Sequence, residues 1–461
     1  MKQLLFLLVF APVAAVAFAM AVMLVRRNPL VGLGSAGLIV LFLWHVPNPP
    51  AIVTLFGLAV YPADVITVVL FTVGLLEVAQ LRVNLRGWIL VWWLFGLLIV
   101  LAMLRGIVAF GPASAVNEAR SLLYFFFTMT WVLATQPSRL RLPMFSLVLG
   151  WALVLVALYD AVTHGIGYAS SSVVLNGETR TGRILISSQA LVLLLCAGTV
   201  FLGTAIPSGP ARRRSVISAT VFLAVVVVTQ HRSVWIATAL AMAAVLVSSR
   251  RGRARSQIFV FFVVGIWFAL LGWSFGFFES VSSELVDSAL STRTLDWRTN
   301  SWRSLVSQAF DNGLAVVIGG EPFGSGFLRR IGGRGWSTAA AHNWYVAIFL
   351  RLGLSGLIVL GVILGAAFVR SRSVSAEWMF SLVAVGVYGF TYTVEWFMAP
   401  WVGAAVAVAL GGALQSGHVG RDHAKTDKVV IGKIAAPGAG DKRLQSHEVR
   451  ESVRPHRRGL T

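Results

Sequence analysis

Long apolar stretches separated by short polar loops make up most of this chain up to residue 414. A helix needs about 20 apolar residues to cross a bilayer, and only helices and closed barrels satisfy their backbone hydrogen bonds in lipid. The pattern therefore predicts an all-α fold, a polytopic transmembrane helical bundle of about 12–13 spans. The predicted spans are residues 4–25, 29–46, 62–79, 87–105, 118–134, 144–161, 184–206, 215–229, 233–249, 257–278, 343–368, 376–394 and 398–414. Residues 47–61 could hold an additional re-entrant piece.

One apolar stretch, Ser215–Ser249, is too long for a single span. As one straight helix it would measure about 52 Å, against a hydrocarbon core of about 30 Å. Basic clusters flank both of its ends, and its strongly polar point is Gln230-His231-Arg232. We therefore predict a helical hairpin that turns there, with Arg232 on the face opposite the basic clusters.

Composition agrees with a membrane location. The chain has 461 residues, of which 57% are hydrophobic and 12% charged, whereas soluble chains carry about 25% charged residues. The apolar N-terminus ends in Arg26-Arg27 and is interpreted as the first span rather than as a cleaved signal. The single cysteine, Cys196, lies in an apolar run, which excludes a disulfide framework and a thiolate metal cluster.

The net charge of +20 records topology rather than a nucleic-acid partner. The arginines gather in short loops between predicted spans, as expected for loops on the cytoplasmic side. The sequence thus predicts a multi-pass protein of the cell inner (cytoplasmic) membrane, with membrane lipid as a partner. The clusters are Arg26-Arg27, Arg82/Arg86, Arg139/Arg141, Arg212–Arg214, Arg250–Arg255 and Arg370/Arg372.

Counting spans from these clusters assigns the remaining loops to the other side. One span separates Arg250–Arg255 from residues 279–341, and one span separates that loop from Arg370/Arg372. The long loop and His342 are therefore predicted to be extracytoplasmic. Counting spans in the same way places Arg180, Arg183 and Arg232 on the extracytoplasmic side as well. Within the loop, Thr294–Phe310 is predicted to form a short amphipathic helix.

Five regions follow from this topology. They are an N-terminal bundle (1–174), central spans with Arg180 and Arg232 (175–278), an extracytoplasmic loop (279–341), C-terminal spans (342–414) and a basic tail (415–461). The tail is hydrophilic, with scattered Gly and Pro, and is predicted to be a disordered cytoplasmic segment.

Arginines beside spans are costly enough to indicate function, and a group of them at one face indicates an anionic ligand. Planar guanidinium groups suit a diphosphate, whose oxygens accept paired N–H bonds. Histidine accepts a proton near neutral pH, so His342 is the natural general base. At about 100° per residue, His342, Tyr345, Phe349 and Gly353 are expected on one helix face.

Other chemistries have little support in the sequence. It contains no HExxH, Gly-x-Ser-x-Gly, Walker or Asp-x-Asp motif, and we expect a reaction without metal or other cofactor. Four carboxylates near span ends or membrane depth could relay protons in a transporter, although polarity at helix ends is the simpler interpretation. These residues are Asp64, Glu77, Asp160 and Glu395.

Residues 339–357, AAAHNWYVAIFLRLGLSGL, resemble the carboxyl-side signature of the bacterial O-antigen ligase and polymerase family. In that family a His-Asn pair opens a helix that continues to a Leu-Gly-x-x-Gly segment. Thr179–Gly182 is similar to the family's Arg-x-Gly element, and Gln230–Ser233 resembles its Ser-Arg helix start, with His231 in place of a small residue. Trp297-Arg298-x-x-x-Trp302, followed by Pro322–Phe327, resembles the stretch before the histidine. The resemblance covers roughly residues 175–365.

The resemblance implies a metal-independent, inverting glycosyltransferase. Its donor would be a glycan linked to undecaprenyl diphosphate, and its acceptor a hydroxyl of a lipid or glycan in cell-surface polysaccharide assembly. Arg180, Arg232 and Arg298 would bind the diphosphate, and His342 would deprotonate the acceptor. The catalytic candidates are His342, Arg298 and Arg232, and the substrate-binding candidates are Arg180, Arg183, Arg293, Asn343, Tyr345 and Trp302.

Several alternatives stay open at this stage. Arg293 repeats the Arg-x-x-x-Trp spacing of Arg298, and Arg298 is preferred for its shorter distance to the Gly-x-Gly segment. Ligase and polymerase differ only in acceptor. The competing class is a transporter or flippase of a polysaccharide or lipid-linked precursor, and an inverted or parallel internal repeat would favour it. A structural assembly protein of the polytopic cell-division type is a third possibility.

Overall fold

The computed structural model describes most of the chain up to residue 412. The described residues are 2–43, 50–55, 57–79, 83–135, 137–164, 172–175, 178–181, 183–203, 209–248, 259, 293–330, 336–338 and 341–412. Residues Met1–Ala413 form one compact unit. Apart from residue 259, the predicted span 257–278 lies outside the described residues, as does the predicted tail 415–461. The division into five regions stays a prediction.

Helices dominate, which confirms the predicted all-α class. They are α1 (Lys2–Arg27), α2 (Pro29–Phe42), α3 (Pro62–Val78), α4 (Val83–Phe110), α5 (Pro112–Ala134), α6 (Pro137–Leu140), α7 (Leu142–His164), α8 (Ser187–Leu202), α9 (Pro210–Val228), α10 (Arg232–Ser248), α11 (Arg293–Asp311), α12 (Leu314–Gly319), α13 (Trp344–Val374), α14 (Ala376–Tyr388) and α15 (Ala399–Gly412), with a 3₁₀ turn at Trp396–Met398.

Three antiparallel hairpins stand in the connections. They are β1 (Val53–Leu55) with β2 (Leu58–Val60), β3 (Ser172–Leu175) with β4 (Glu178–Thr181), and β5 (Leu328–Arg330) with β6 (Trp336–Thr338). The first occupies the region expected to hold a re-entrant piece, so the structure there is a short hairpin. The second and third lead into Arg183 and His342.

Every predicted span inside the described part of the chain overlaps a helix, although the helix in the predicted span 376–394 already ends at Tyr388. Several helices begin with proline at their first position, where the missing N–H removes a donor that would have no partner within the helix. Pro62, Pro112 and Pro210 are examples. The predicted turn in Ser215–Ser249 is also confirmed, because α9 ends at Val228 and α10 begins at Arg232.

Three helices are long and apolar enough to cross a membrane, and a fourth span is possible if α1 and α2, bent by 109°, act as one. The three are Gly87–Phe110, Ser138–His164 and Trp344–Arg372. Four shorter apolar helices, Ser187–Leu202, Arg232–Ser248, Ala376–Tyr388 and Trp396–Gly411, also occur in the part of the chain that was searched. These helices indicate association with a membrane.

Helix α8 is the centre of the bundle, since all of its residues from Ser188 to Leu202 are buried. It packs against α7, α9 and α14. At its N-terminus the hydroxyl of Tyr388 donates to Ser187 Oγ at 3.1 Å. Beyond its C-terminus, Arg212 Nη1 donates to the Gly203 carbonyl at 3.3 Å. The 16 residues of α8 therefore separate the two ends of the bundle by about 24 Å.

The long helix α13 differs from the prediction in two respects. Its N-cap is Asn343, whose side chain accepts a hydrogen bond from the Val346 N–H at 3.0 Å, so His342 precedes the helix. Gly353 has φ +66° and ψ −167° and kinks it. The expectation that His342 and Gly353 share one helix face is therefore wrong, because the helix starts later and is interrupted.

A buried ion-pair network anchors the loop 320–327 to the bundle. The Arg351 side chain is 1% exposed and contacts Glu118 Oε1 and, at 3.5 Å, Glu321 Oε2. Its Nη1 donates to Ser325 Oγ at 2.8 Å and its Nη2 to the Gly326 carbonyl at 2.6 Å. Because each buried charge has partners, the loop between α12 and β5 is held against α5 and α13.

Candidate functional site

His231 links the turn before α10 to the segment before α8. Its Nε2 lies 2.7 Å from the Leu185 carbonyl, and its Nδ1 lies 3.2 Å from Nη1 of Arg183. Because a guanidinium can only donate, Nδ1 accepts and Nε2 carries the proton of a neutral ring. Burial, followed by the charge of Arg183, lowers the pKa of His231 to about 4. His231 is therefore a neutral structural link between two predicted site segments.

Arg183 is the meeting point of the cationic residues. Burial lowers its pKa, the nearby positive charges of Arg232 and Arg298 lower it further, and Tyr392 opposes the shift. Arg232 and Arg298, from segments far apart in sequence, are thus each close enough to Arg183 for their charges to act on it. We call Arg183, Arg232 and Arg298 the arginine cluster.

Arg298 reaches this cluster from α11, the amphipathic helix that the sequence predicts. Its Nη1 donates to the Thr391 carbonyl at 3.1 Å, and its Cζ atom lies 4.8 Å from the centroid of the Tyr392 ring. Arg293 is the first residue of the same helix, and its side chain lies outside what the structure describes. The choice between the two arginines as ligands stays a prediction, although the described contacts involve Arg298.

His342 lies beside α11 at the entrance to α13. Its ring centroid is 6.4 Å from that of Trp297, the neighbour of Arg298. The Trp302 indole donates to the carbonyl of Ala341 at 2.6 Å, which fixes the residue before the histidine. His342 itself has φ +47°, an uncommon conformation for a residue with a side chain. Helix α11 therefore holds both an arginine of the cluster and the imidazole.

The segment 386–395, after and at the end of α14, contacts most parts of the site. The carbonyl of Phe390 accepts from Asn343 Nδ2 at 2.9 Å, and that of Gly389 accepts from the Trp344 N–H at 2.7 Å. Thr391 and Tyr392 contact Arg298. Glu395 is half-buried in this segment, and its burial raises its pKa to about 7. Sequence reasoning did not assign Thr391 and Tyr392, because it placed both inside the predicted span 376–394, whereas the helix ends at Tyr388.

Of the other predicted substrate-binding residues, Asn343 and Tyr345 make contacts between helices, and Arg180 is described only by its backbone. Asn343 is buried as the N-cap of α13, and the Tyr345 hydroxyl donates to the Gly386 carbonyl at 2.8 Å. Both therefore stabilise the contact between α13 and α14. The backbone of Arg180 pairs with Val173 in the β3–β4 hairpin, while its side chain lies outside the described part of the structure.

Two carboxylates considered as proton relays are engaged in ion pairs. Glu77 lies 3.0 Å from Arg26 Nε and 3.8 Å from Arg139 Nη1, and Asp64 lies 3.2 Å from Arg120 Nε. These pairs join helix ends and favour the structural interpretation for both residues. Among the described residues, no three His, Cys, Asp and Glu side chains lie together as metal ligands would.

The geometry defines a class: an all-α protein with membrane-compatible helices, in which one amphipathic helix contacts a histidine and carries an arginine of the cluster. Compared with known families and with curated protein sequences, the chain matches no family model and no curated sequence.

Proposed function

We propose that this protein is a multi-pass glycosyltransferase of the O-antigen ligase or polymerase type. It would lie in the cytoplasmic membrane with about 12–13 spans and its active site on the extracytoplasmic face. Its donor would be a glycan on undecaprenyl diphosphate, and its acceptor a hydroxyl of a lipid or glycan.

The observation that carries the proposal is the proximity of the arginine cluster to His342 through α11. Arg298 shares the cluster with Arg183 and Arg232, and the adjacent Trp297 ring lies 6.4 Å from the His342 ring. A cationic group suited to a diphosphate and a candidate base thus occur on one side of the bundle. Tyr388 contacts Ser187 at the N-terminal end of α8, and Arg212 lies beyond its other end, an arrangement that supports the proposed topology.

The chemistry follows from these two parts. The oxygen of the acceptor hydroxyl attacks the anomeric carbon of the donor sugar, and His342 accepts the proton that this hydroxyl loses. The bond from that carbon to the diphosphate oxygen breaks, and the leaving diphosphate takes the electron pair. The arginine cluster stabilises the charge that develops on the leaving group. Attack from the opposite face inverts the anomeric configuration.

The direct test is transfer by the purified protein reconstituted with lipid-linked glycan and candidate acceptors, without added metal. Substitution His342→Ala should lower the rate about 10²–10⁴-fold and leave donor unconsumed. The matched control is His164→Ala, at the exposed end of α7, which should retain the rate. Full activity of His342→Ala would remove the histidine from the mechanism.

The same reconstitution separates the competing functions. A ligase gives a discrete addition to the acceptor, whereas a polymerase gives a ladder of lengths. A transporter or flippase would move the lipid-linked glycan across the vesicle without forming a new glycosidic bond. That last result would overturn the proposal.

A further inference from the structure

We propose that the elbow between α11 and α12 is a membrane anchor, seated at the boundary between lipid headgroups and acyl chains in the leaflet opposite Arg370. The elbow is residues 310–319, which comprise the end of α11, a turn and α12. Such an anchor is independent of the reaction proposed above. Three features support it: exposed apolar side chains, their position along α13, and the hydrogen bonds at the end of α12.

Three large apolar side chains of the elbow are exposed. Phe310 is 59% exposed, Leu314 73% and Ile318 51%, and they recur at intervals of four residues. Val316 and Val317 belong to the other side of α12 and pack between α11 and α13. Helix α12 is therefore apolar on its buried side and on its exposed side. An exposed apolar surface of this kind marks a contact with lipid or with another protein.

The position of the elbow along α13 favours lipid. The backbone of Ile318 packs directly on Gly353, the kink residue of α13. From Gly353 to the basic residue Arg370 the helix measures about 25 Å, whereas the hydrocarbon core of a bilayer is about 30 Å thick. Because basic side chains at the end of a span mark its headgroup region, Ile318 lies close to the opposite boundary of the bilayer.

The exposed side of the elbow also continues the exposed apolar surface of α13. Directly after the kink, Leu354, Ile358 and Val362 are exposed at the same interval of four residues. Before the kink, the ring centroid of Phe349 lies 6.1 Å from that of Phe310. Helix α13 is long and apolar enough to cross a membrane, so acyl chains are the expected partners of its exposed residues. The elbow extends this surface beyond α13.

The end of α12 is hydrogen-bonded in the manner that lipid requires. The last carbonyls of a helix have no partner within it, and in lipid an unpaired backbone group is costly. Arg105 of α4 supplies the donors, since its Nη2 donates to the Gly319 carbonyl at 2.7 Å and its Nη1 to the Gly320 carbonyl at 3.3 Å. Before α12, Asn312 Nδ2 donates to Glu321 Oε1 at 3.2 Å. The backbone end and the polar turn thus both have partners in the protein.

Insertion of the elbow is shallow, because its turn carries the exposed polar residues Asp311 and Asn312. Interfacial helices bury their apolar face about 5–10 Å into the headgroup and acyl boundary. At that depth Leu314 and Ile318 reach acyl chains while the turn stays among headgroups. The anchor therefore fixes one end of α11, the helix that carries Arg298, relative to the bilayer.

The test is spin labelling of the full-length protein in vesicles of phosphatidylethanolamine and phosphatidylglycerol. Buried Cys196 is removed as Cys196→Ala, and nitroxides are attached to the single variants Leu314→Cys and Ile318→Cys. Electron paramagnetic resonance then measures collisions with oxygen, which concentrates among acyl chains, and with a nickel chelate, which stays in water. The ratio of oxygen to chelate accessibility should be several-fold higher at both positions than in Ser307→Cys, an exposed polar position of α11. Ile358→Cys is the control for a lipid-facing position.

A ratio at Leu314 and Ile318 equal to that at Ser307 would overturn the proposal. A second copy of the chain is the competing occupant. It would broaden the Leu314→Cys spectrum by dipolar coupling that disappears on dilution with unlabelled protein, and this result would also overturn the anchor. If Cys196→Ala lowers the unfolding midpoint, Cys196 is retained, because a buried thiol is not labelled. The measurement needs no glycan transfer, so an inactive protein with lipid-exposed labels would contradict the proposed function and support the anchor.

Discussion

Gly353 and Ile318 approach so closely that no side chain fits between them. A Cβ atom on Gly353 would lie 2.2 Å from the Ile318 carbonyl oxygen, at a residue whose φ is +66°. The kink in α13 therefore seats α12, and Gly320 shows the same constraint against the backbone of Arg351. Two glycines thus determine how closely the loop before His342 packs on the bundle.

Substitution Gly353→Ala should destabilise the protein strongly. The backbone conformation alone costs about 1–3 kcal/mol for a residue with a side chain, and the clash with Ile318 adds to it. Thermal unfolding in detergent measures the loss. The matched controls are Gly361→Ala and Gly365→Ala in the same helix, where a Cβ meets nothing within 4 Å. These should be neutral or stabilising by up to about 1 kcal/mol, and equal effects at all three positions would contradict the argument.

The pair Glu118–Arg351 should show strong energetic coupling. Arg351 is 1% exposed and Glu118 16% exposed at the side chain, and loss of one partner of a buried pair costs about 3–5 kcal/mol. A double-mutant cycle with Glu118→Gln and Arg351→Met, measured by unfolding, should give a coupling energy of about 1 kcal/mol or more. The control pair is Arg26–Glu77, where Arg26 is 42% exposed. Its coupling should fall within about 0–1 kcal/mol, and a smaller value for Glu118–Arg351 would argue against a structural network.

Acid should weaken the fold through His231. Its pKa in the folded protein is about 4, below the ordinary value of 6.5, so the unfolded chain binds more protons between these values. The stabilisation is complete above pH 6.5 and is lost as the pH falls towards 4, by up to about 3 kcal/mol. Unfolding midpoints between pH 4 and 7.5 should therefore fall more steeply with acid in the wild type than in His231→Gln.

A second group, the half-buried Glu395, acts in the opposite direction over part of this range. Burial raises the pKa of Glu395 from 4.5 to about 7, so the folded protein binds more protons than the unfolded chain between these values. The stabilisation from Glu395 is therefore complete below pH 4.5 and is lost as the pH rises towards 7. Wild type and His231→Gln both contain Glu395. The difference in their stability at each pH is therefore free of the pH dependence that Glu395 causes. The exposed His164 provides the control variant His164→Gln. Parallel curves for wild type and His231→Gln would contradict the prediction.

Arg298→Lys should impair transfer although it retains the charge. Lysine lacks the planar fork, so the bond to the Thr391 carbonyl and the fit to a diphosphate are both altered. We expect kcat/KM for the lipid-linked donor to fall about 10²-fold, comparable with the loss of one transition-state donor. The control is Arg303→Lys on an exposed position of the same helix, which should retain activity. A fully active Arg298→Lys protein would mean that charge alone suffices.

The local pattern predicted most of the helices because hydropathy is a property of each segment. The turn at Gln230–Arg232 was predicted from the length of the apolar stretch Ser215–Ser249 and from the basic clusters at its two ends. The amphipathic helix was predicted at Thr294–Phe310 from its own periodicity and is observed at Arg293–Asp311. His231 shows the limit of this approach. The sequence indicates only that a histidine stands where the resembled family has a small residue. Nothing in that pattern predicts the contacts of His231 with Leu185 and Arg183.

The sequence by itself determined where the helices lie, and it determined that Arg232 and Arg212 belong to opposite ends of the bundle. Both follow because the length of an apolar segment and the positions of its charges are set residue by residue. Only the tertiary structure decided that Tyr392 lies against Arg298 and that His342 precedes its helix rather than facing along it. Those contacts join segments more than 90 residues apart, and their geometry depends on how connecting loops pack, which no local pattern encodes.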